Sequence, residues 1–155
     1  MCELQFATIK GWSMAPILKE GDIVGYRQKG YKPGDIIIFK HGGLIVTHRL
    51  IETGKRLTAK GDNFTTLDVN IKPGNILGVA EYVLRNTTAK QIRLNVTKAN
   101  KFLLNHARFE VRVISFTAKL MGEKFSGLVI KRMLLPVYVM RYFLFRIYAG
   151  TTGYF

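Results

Sequence analysis

Between Gly21 and Gly74 a turn signal interrupts the chain about every ten residues, a spacing that leaves room only for short strands. The signals are Gly21-Asp22, Lys32-Pro33-Gly34, Gly42-Gly43, Gly61-Asp62 and Lys72-Pro73-Gly74. In each Lys-Pro-Gly, proline presets one backbone dihedral and glycine accepts a positive φ, so the chain reverses there at little cost. The intervening runs 23–28, 35–41, 44–52, 56–60 and 75–84 are rich in Val and Ile. Gly42-Gly43 between two such runs is the mark of a tight hairpin. The pattern predicts a compact β-sandwich or barrel-like domain. The repeated Lys-Pro-Gly-Asp and Lys-Pro-Gly-Asn read as recurring turn chemistry rather than as a duplicated unit.

From Lys98 onward Gly and Pro become rare and the apolar residues take helical spacing. Phe102, Leu103, Ala107, Glu110, Val111, Ile114, Ala118 and Met121 fall on one stripe of a single helix. A second helical segment is expected over 128–148, kinked at Pro136. The chain is thus read as α+β: a mainly-β domain over 1–88, then a basic, amphipathic helical region over 89–155. The charge divides in the same way. Of the formal +14, residues 1–84 carry only +3 and residues 85–155 carry +11. So one-sided a charge points to an anionic partner. Arg132, Arg141 and Arg146, set among Leu, Val, Tyr and Phe, suit a helix lying in a lipid interface, or a helical hairpin packed on the β domain. The favoured partner of residues 98–148 is an anionic membrane surface at its cytoplasmic side. Nucleic acid is not favoured, because clustered RNA-reading motifs and aromatic-basic strands are missing. No secretory signal opens the chain. Residues 133–140, bracketed by Arg132 and Arg141, fall well short of the roughly 20 apolar residues of a spanning helix. Cys2, the single cysteine, has no second thiol to pair with and is read as inert. With no phosphate loop, dinucleotide fingerprint or metal-ligand spacing, no cofactor or metal is expected.

Four residues carry candidate chemistry. Ser13 follows a strand-like stretch, flanked by glycine and closed by Pro16, where a hydroxyl would be exposed at a turn. A serine alone is a poor nucleophile and needs a neighbouring base. Of the three histidines, His41 beside the Gly-Gly turn and His106 on the basic helix are expected to be exposed and idle. His48 sits mid-strand between apolar residues, either as a hydrogen-bonded core imidazole or as a base. Asp62 and Asp68 lie beyond the end of another strand, where they could form Asx turns or fix the tautomer of an imidazole.

In order and spacing the chain resembles the signal peptidase I family: Gly-Trp-Ser-Met-Ala-Pro at 11–16, Gly-Asp-Ile-Val at 21–24, Lys-Pro-Gly-Asp-Ile-Ile-Ile-Phe at 32–39, Thr-His-Arg-Leu-Ile at 47–51 and Lys-Gly-Asp-Asn…Asp at 60–68. The Ser-Met-x-Pro element is shared with self-cleaving repressor proteases. The resemblance implies a β-rich serine endopeptidase acting on signal or leader peptides, with Ser13 as nucleophile. Bacterial members place a lysine before the arginine of the fourth segment. His48 before Arg49 resembles the endoplasmic-reticulum and archaeal type, in which histidine is the base. The last segment then supplies the acidic partner, with Asp68 as the orienter of His48 and Asp62 bracing the loop.

Three features depart from that family. The chain begins a dozen residues before Ser13, without the usual N-terminal anchor, so membrane contact is expected through the C-terminal region. Gly11 stands where many relatives have a hydroxyl that helps bind the oxyanion, which leaves chiefly the Ser13 N–H. Residues 85–155 have no counterpart in the family. Two other readings compete: a non-catalytic binding module with a basic arm for membrane or nucleic acid, and a repressor-type self-cleaving protease. The latter normally needs a lysine base, an upstream cut site and a DNA-binding domain. An imidazole ordinarily titrates near pH 6.5 and loses its basicity below it. Peptidase activity should therefore fall as pH drops below about 6.5, and a rate still flat at pH 5 would remove His48 as the base.

Overall fold

Runs of Val, Ile and Leu between turns become strands, and their alternation decides which side chains reach the core. The computed structural model describes residues 3–64, 66–85, 90–93 and 98–121, with Val139 and Phe143. The strands are β1 (Gln5–Thr8), β2 (Ile23–Arg27), β3 (Ile36–His41), β4 (Leu44–Glu52), β5 (Leu57–Lys60), β6 (Leu67–Ile71), β7 (Ile76–Arg85) and β8 (Lys90–Arg93). One helix, α1 (Lys98–Met121), follows. All pairings are antiparallel. The strands make one hydrogen-bonded sheet in the order β1-β2-β7-β3-β4-β5-β6, with β8 on β7. The expected sandwich or barrel-like domain takes the form of one continuous antiparallel sheet, in which β7 returns between β2 and β3 and joins the two halves.

Turn chemistry explains the corners. Gly42 and Gly43 have φ of 56° and 79°, and positive φ at both positions gives the hairpin turn whose twist matches its strands. The two Lys-Pro-Gly segments diverge. In the first, Asp35 N–H donates to Lys32 O at 3.1 Å and Gly34 takes φ 98°, a type II turn. In the second, Pro73–Asn75 forms a 3-10 turn closed by Asn75 N–H on Lys72 O at 2.9 Å. Similar tetrapeptides therefore make different turns, as punctuation does and a repeated structural unit would not.

Both faces of β3 are covered, since Ile36, Ile37, Ile38 and Phe39 are all buried. Ile37, Phe39, Leu50, Leu57, Ala59, Ile71 and Val79 form a buried cluster drawn from β3 to β7. Each large apolar side chain removed from water contributes about 1.5–3 kcal/mol. At the other edge of β7, Lys29 and Arg27 hold Glu81. The hydrogen bond from Lys29 keeps the Glu81 carboxyl below the ordinary carboxylate range.

The chain divides into two compact units, Met1–Leu104 and Asn105–Phe155, with α1 beginning in the first and continuing in the second. Within α1, Leu103, Ala107 and Glu110 are buried, while Lys101, Arg108, Arg112 and Lys119 are exposed. His106 corrects its expectation. Its ring is largely buried, with Nδ1 3.4 Å from Glu110, because the i,i+4 spacing sets the two on one face. The expected second helix over 128–148 lies outside the described residues except for Val139 and Phe143, both helical and exposed, and Cys2 lies outside them too. Among the described residues no helix is long and apolar enough to cross a membrane.

Gly78 in β7 marks the closest packing of the sheet. A Cβ there would stand 2.5 Å from the Arg27 carbonyl oxygen, whereas at Gly30 it would meet nothing within 4 Å. Gly78→Ala should therefore destabilise the fold by about 1–3 kcal/mol. Gly30→Ala should be close to neutral, both read from the midpoint of urea unfolding.

Candidate active site

Ser13 lies in the loop that joins β1 to β2, and the loop is closed at its base and plugged at its centre. Ile9 N–H donates to Asp22 O at 2.8 Å, and Gly21 N–H returns to Ile9 O at 3.0 Å. Met14, Ile17 and Leu18 are buried in the core, so the serine is fixed by its own neighbours. Ser13 itself is half-buried, between buried Met14 and exposed Trp12. The Ala15–Pro16 peptide is cis. The Asp22 carboxylate caps Lys19 N–H at 2.7 Å and accepts two bonds from Arg85, at 2.9 and 2.7 Å. Arg85 also donates to Ile17 O at 2.8 Å, tying the loop to the end of β7.

His48 is delivered by strand alternation. It pairs with Ile37, which puts its ring on the core face, tilted against Phe39 with centroids 6.4 Å apart. Leu50 pairs with Ala59 and Ala59 with Asp68, so Asp68 shares that face two strands away. Ala59 between them is small enough to let the two side chains meet. His48 Nδ1 and Asp68 Oδ2 are hydrogen-bonded, with the side chains only 12% and 19% exposed. An Nδ1–H directed at a carboxylate leaves Nε2 as the basic nitrogen. Asp68 lies inside β6 and not in a loop beyond a strand end; the polar Asp and Asn disguise the strand.

Nε2 faces Ser13. A Cβ built on Gly61 would lie 3.0 Å from His48 Nε2, 3.2 Å from Ser13 Cβ and 2.8 Å from Ser13 O. One methyl-sized volume thus touches both side chains. The loop after Gly61 holds the serine in place. Asn63 N–H donates to Ser13 O at 2.7 Å, and its side-chain amide donates to Trp12 O at 3.2 Å.

The opposite face of the same strands is ionic. Arg49 pairs with Lys60 across the ladder, and both are buried. Arg49 Nε and Nη2 grip the two oxygens of Asp62 at 2.8 and 2.7 Å, and Nη1 donates to Gly34 O at 2.7 Å. Lys60 Nζ donates to Gly61 O at 3.2 Å. Of the four candidates, then, Ser13, His48 and Asp68 converge, and Asp62 is joined to Arg49. Among the described residues no cluster of His, Cys, Asp or Glu could hold a metal.

The positions overlooked by sequence reasoning are Gly61 and Asn63. Both stood inside a recognised segment, but neither has a chemical group that marks it. A glycine next to a strand end and an asparagine after an aspartate were the only signals.

A sequence model described as Peptidase S24-like matches residues 3–81, half of the chain and all of the segments described here. No curated protein matches the chain.

The Arg49–Asp62 pair is fully desolvated, at 0% and 2% exposure. Removing one partner strands the other charge, at a cost of about 3–5 kcal/mol. Asp62→Ala should lose that much in chemical unfolding. Replacing both with apolar residues of similar volume should recover much of it.

Proposed function

Because the chain belongs to the Peptidase S24-like family, we propose that it is a serine endopeptidase in which Ser13 attacks the substrate, His48 is the general base and Asp68 orients that base. The observation that carries this reading is the meeting of Ser13 Cβ and His48 Nε2 around Gly61, with His48 Nδ1 on Asp68. The Ser13 Oγ–H proton passes to Nε2 as Oγ bonds to the scissile carbonyl carbon. The carbonyl π pair moves to oxygen, and the oxyanion falls to the Ser13 N–H, since Gly11 offers no hydroxyl. His48 then returns the proton to the leaving amine as the C–N bond breaks. Water repeats the sequence on the acyl-enzyme and frees Ser13. Asp68 stays ionised and stabilises the imidazolium. Asp62 braces the loop through Arg49.

The substrate class in this reading is a signal or leader peptide with small residues before the cut. The order of the five sequence segments supports it, as does the imidazole in the place of the bacterial lysine. The excess of basic residues after position 84 supports action at an anionic membrane surface on its cytoplasmic side, reached through residues 98–148. The match to an S24-like rather than a signal-peptidase model favours a second reading, a repressor-type protease that cuts its own chain.

Purified protein, with and without anionic liposomes, is incubated with leader-derived peptides and with itself, and the masses are read. New fragments of the added peptides, with the protein mass unchanged, support the first reading. A truncated protein and intact peptides support the second. Ser13→Ala should lower the rate at least about 10³-fold, and Asp68→Asn about 10²–10⁴-fold. Equal cleavage by Ser13→Ala removes the nucleophile assignment, and no cleavage of either kind leaves the non-catalytic binding module.

A further inference from the structure

Asp68 reaches His48 because β6 carries one residue more than its partner. Leu57 pairs with Ile71, and Ala59 pairs with Asp68. That is two steps along β5 against three along β6, with the extra residue within Val69-Asn70. Asn70 has a φ of 62°, and among the described residues it is the non-glycine residue in the left-handed region. This is the conformation that a G1-type bulge uses, and asparagine tolerates it where a β-branched residue does not.

The consequence follows from the period of a strand. Ile71 is buried and packs with Leu57 in the core. From there an unbroken β6 would turn Val69 inward and Asp68 outward. The bulge does the reverse. Asp68 lies opposite Ala59, on the face of Leu50 and His48, while Val69 is left 50% exposed. Hydrophobicity alone would choose the other register, so something must hold this one.

We propose that Asn70 is a positioning residue: its left-handed backbone keeps β6 in the bulged register and thereby keeps Asp68 on His48. The proposal rests on Asp68 being the group that orients the general base. The contact between the Asn70 side chain and Arg56, 2.9 Å, is exposed and does not set the register. The backbone conformation does.

Three variants separate these terms. Asn70→Gly keeps access to positive φ and loses the Arg56 contact. Asn70→Val opposes positive φ and favours a regular strand, and Asn70→Ala does so more mildly if the valine variant folds poorly. Two quantities are read: the downfield proton NMR signal of His48 Nδ1–H, and kcat and KM on the best-cleaved peptide. Asn70→Gly should keep the signal and stay within about 3-fold of wild-type kcat, the contact it loses being a surface one. Asn70→Val should lose the signal and fall about 10²–10⁴-fold in kcat, as Asp68→Asn does, with little change in KM. Added to Asp68→Asn, it should cost almost nothing further, since both remove one interaction. Retention of signal and kcat in Asn70→Val and Asn70→Ala overturns the proposal, and so does a fall in Asn70→Gly as deep as in Asn70→Val. Wild-type turnover by Asp68→Asn would instead sink the catalytic reading, while the NMR signal would still decide whether Asn70 sets the register.

Discussion

Ser13 and Gly61 approach so closely that a single methyl group between them would collide with a carbonyl oxygen at 2.8 Å. Other parts of the site depend on that contact. It brings the serine loop, which is rigid in its own right, against the end of β5, where His48 has been placed from the neighbouring strand. The two bonds from Asn63 hold the approach at the backbone, so side chains need not hold it. Because the hold is on main-chain carbonyls, it does not occupy the Ser13 hydroxyl or His48 Nε2.

Alternation along β4 separates two kinds of electrostatics within one residue step. On the core face, His48 and Asp68 form a partly exposed pair whose imidazole Nε2 lies beside Gly61, as the Ser13 side chain does. On the other, Arg49 and Asp62 are removed from water altogether. A buried pair of that kind adds little net stability, because desolvation offsets most of its attraction. Its value lies in direction. Arg49 reaches Asp62 with one side of its guanidinium and Gly34 O with the other, so the turn before β3 and the loop after β5 are fixed to the strand that bears His48.

Much of this was legible in the sequence, and the illegible parts share a cause. The strand runs 44–52 and 75–84 were readable because apolar residues and turn residues agree there; the former became β4 and the latter β7 within a residue. Ser13 and His48 stood out only through the segments that resemble a known family, because a lone serine or a mid-strand imidazole does not declare its chemistry. β6 was not read, although Leu-Asp-Val-Asn-Ile alternates strictly, because Asp and Asn are rare in strands. The bulge then sends Asp68 to the face opposite the one that the alternation predicts. Sheet order was beyond local reading as well, since the placing of β7 between β2 and β3 depends on contacts far apart in the chain. His106 was misread for a similar reason: its burial depends on packing around α1, which residue type alone does not report.

The position of β7 has a consequence for how the protein comes into being. β1 and β2 carry the serine loop, β4 to β6 carry the imidazole and its carboxylate, and β7 lies between the two groups in the sheet. Arg85, the last residue of β7, then locks Asp22 and the Ile17 carbonyl. A nascent chain emerging from the ribosome has all three groups in hand by residue 68, yet the strand that completes the sheet between them is still unmade. A ribosome-bound fragment that ends before β7 therefore carries Ser13, His48 and Asp68 without the strand that joins their two groups in the sheet, and their convergence waits until the chain has passed residue 85.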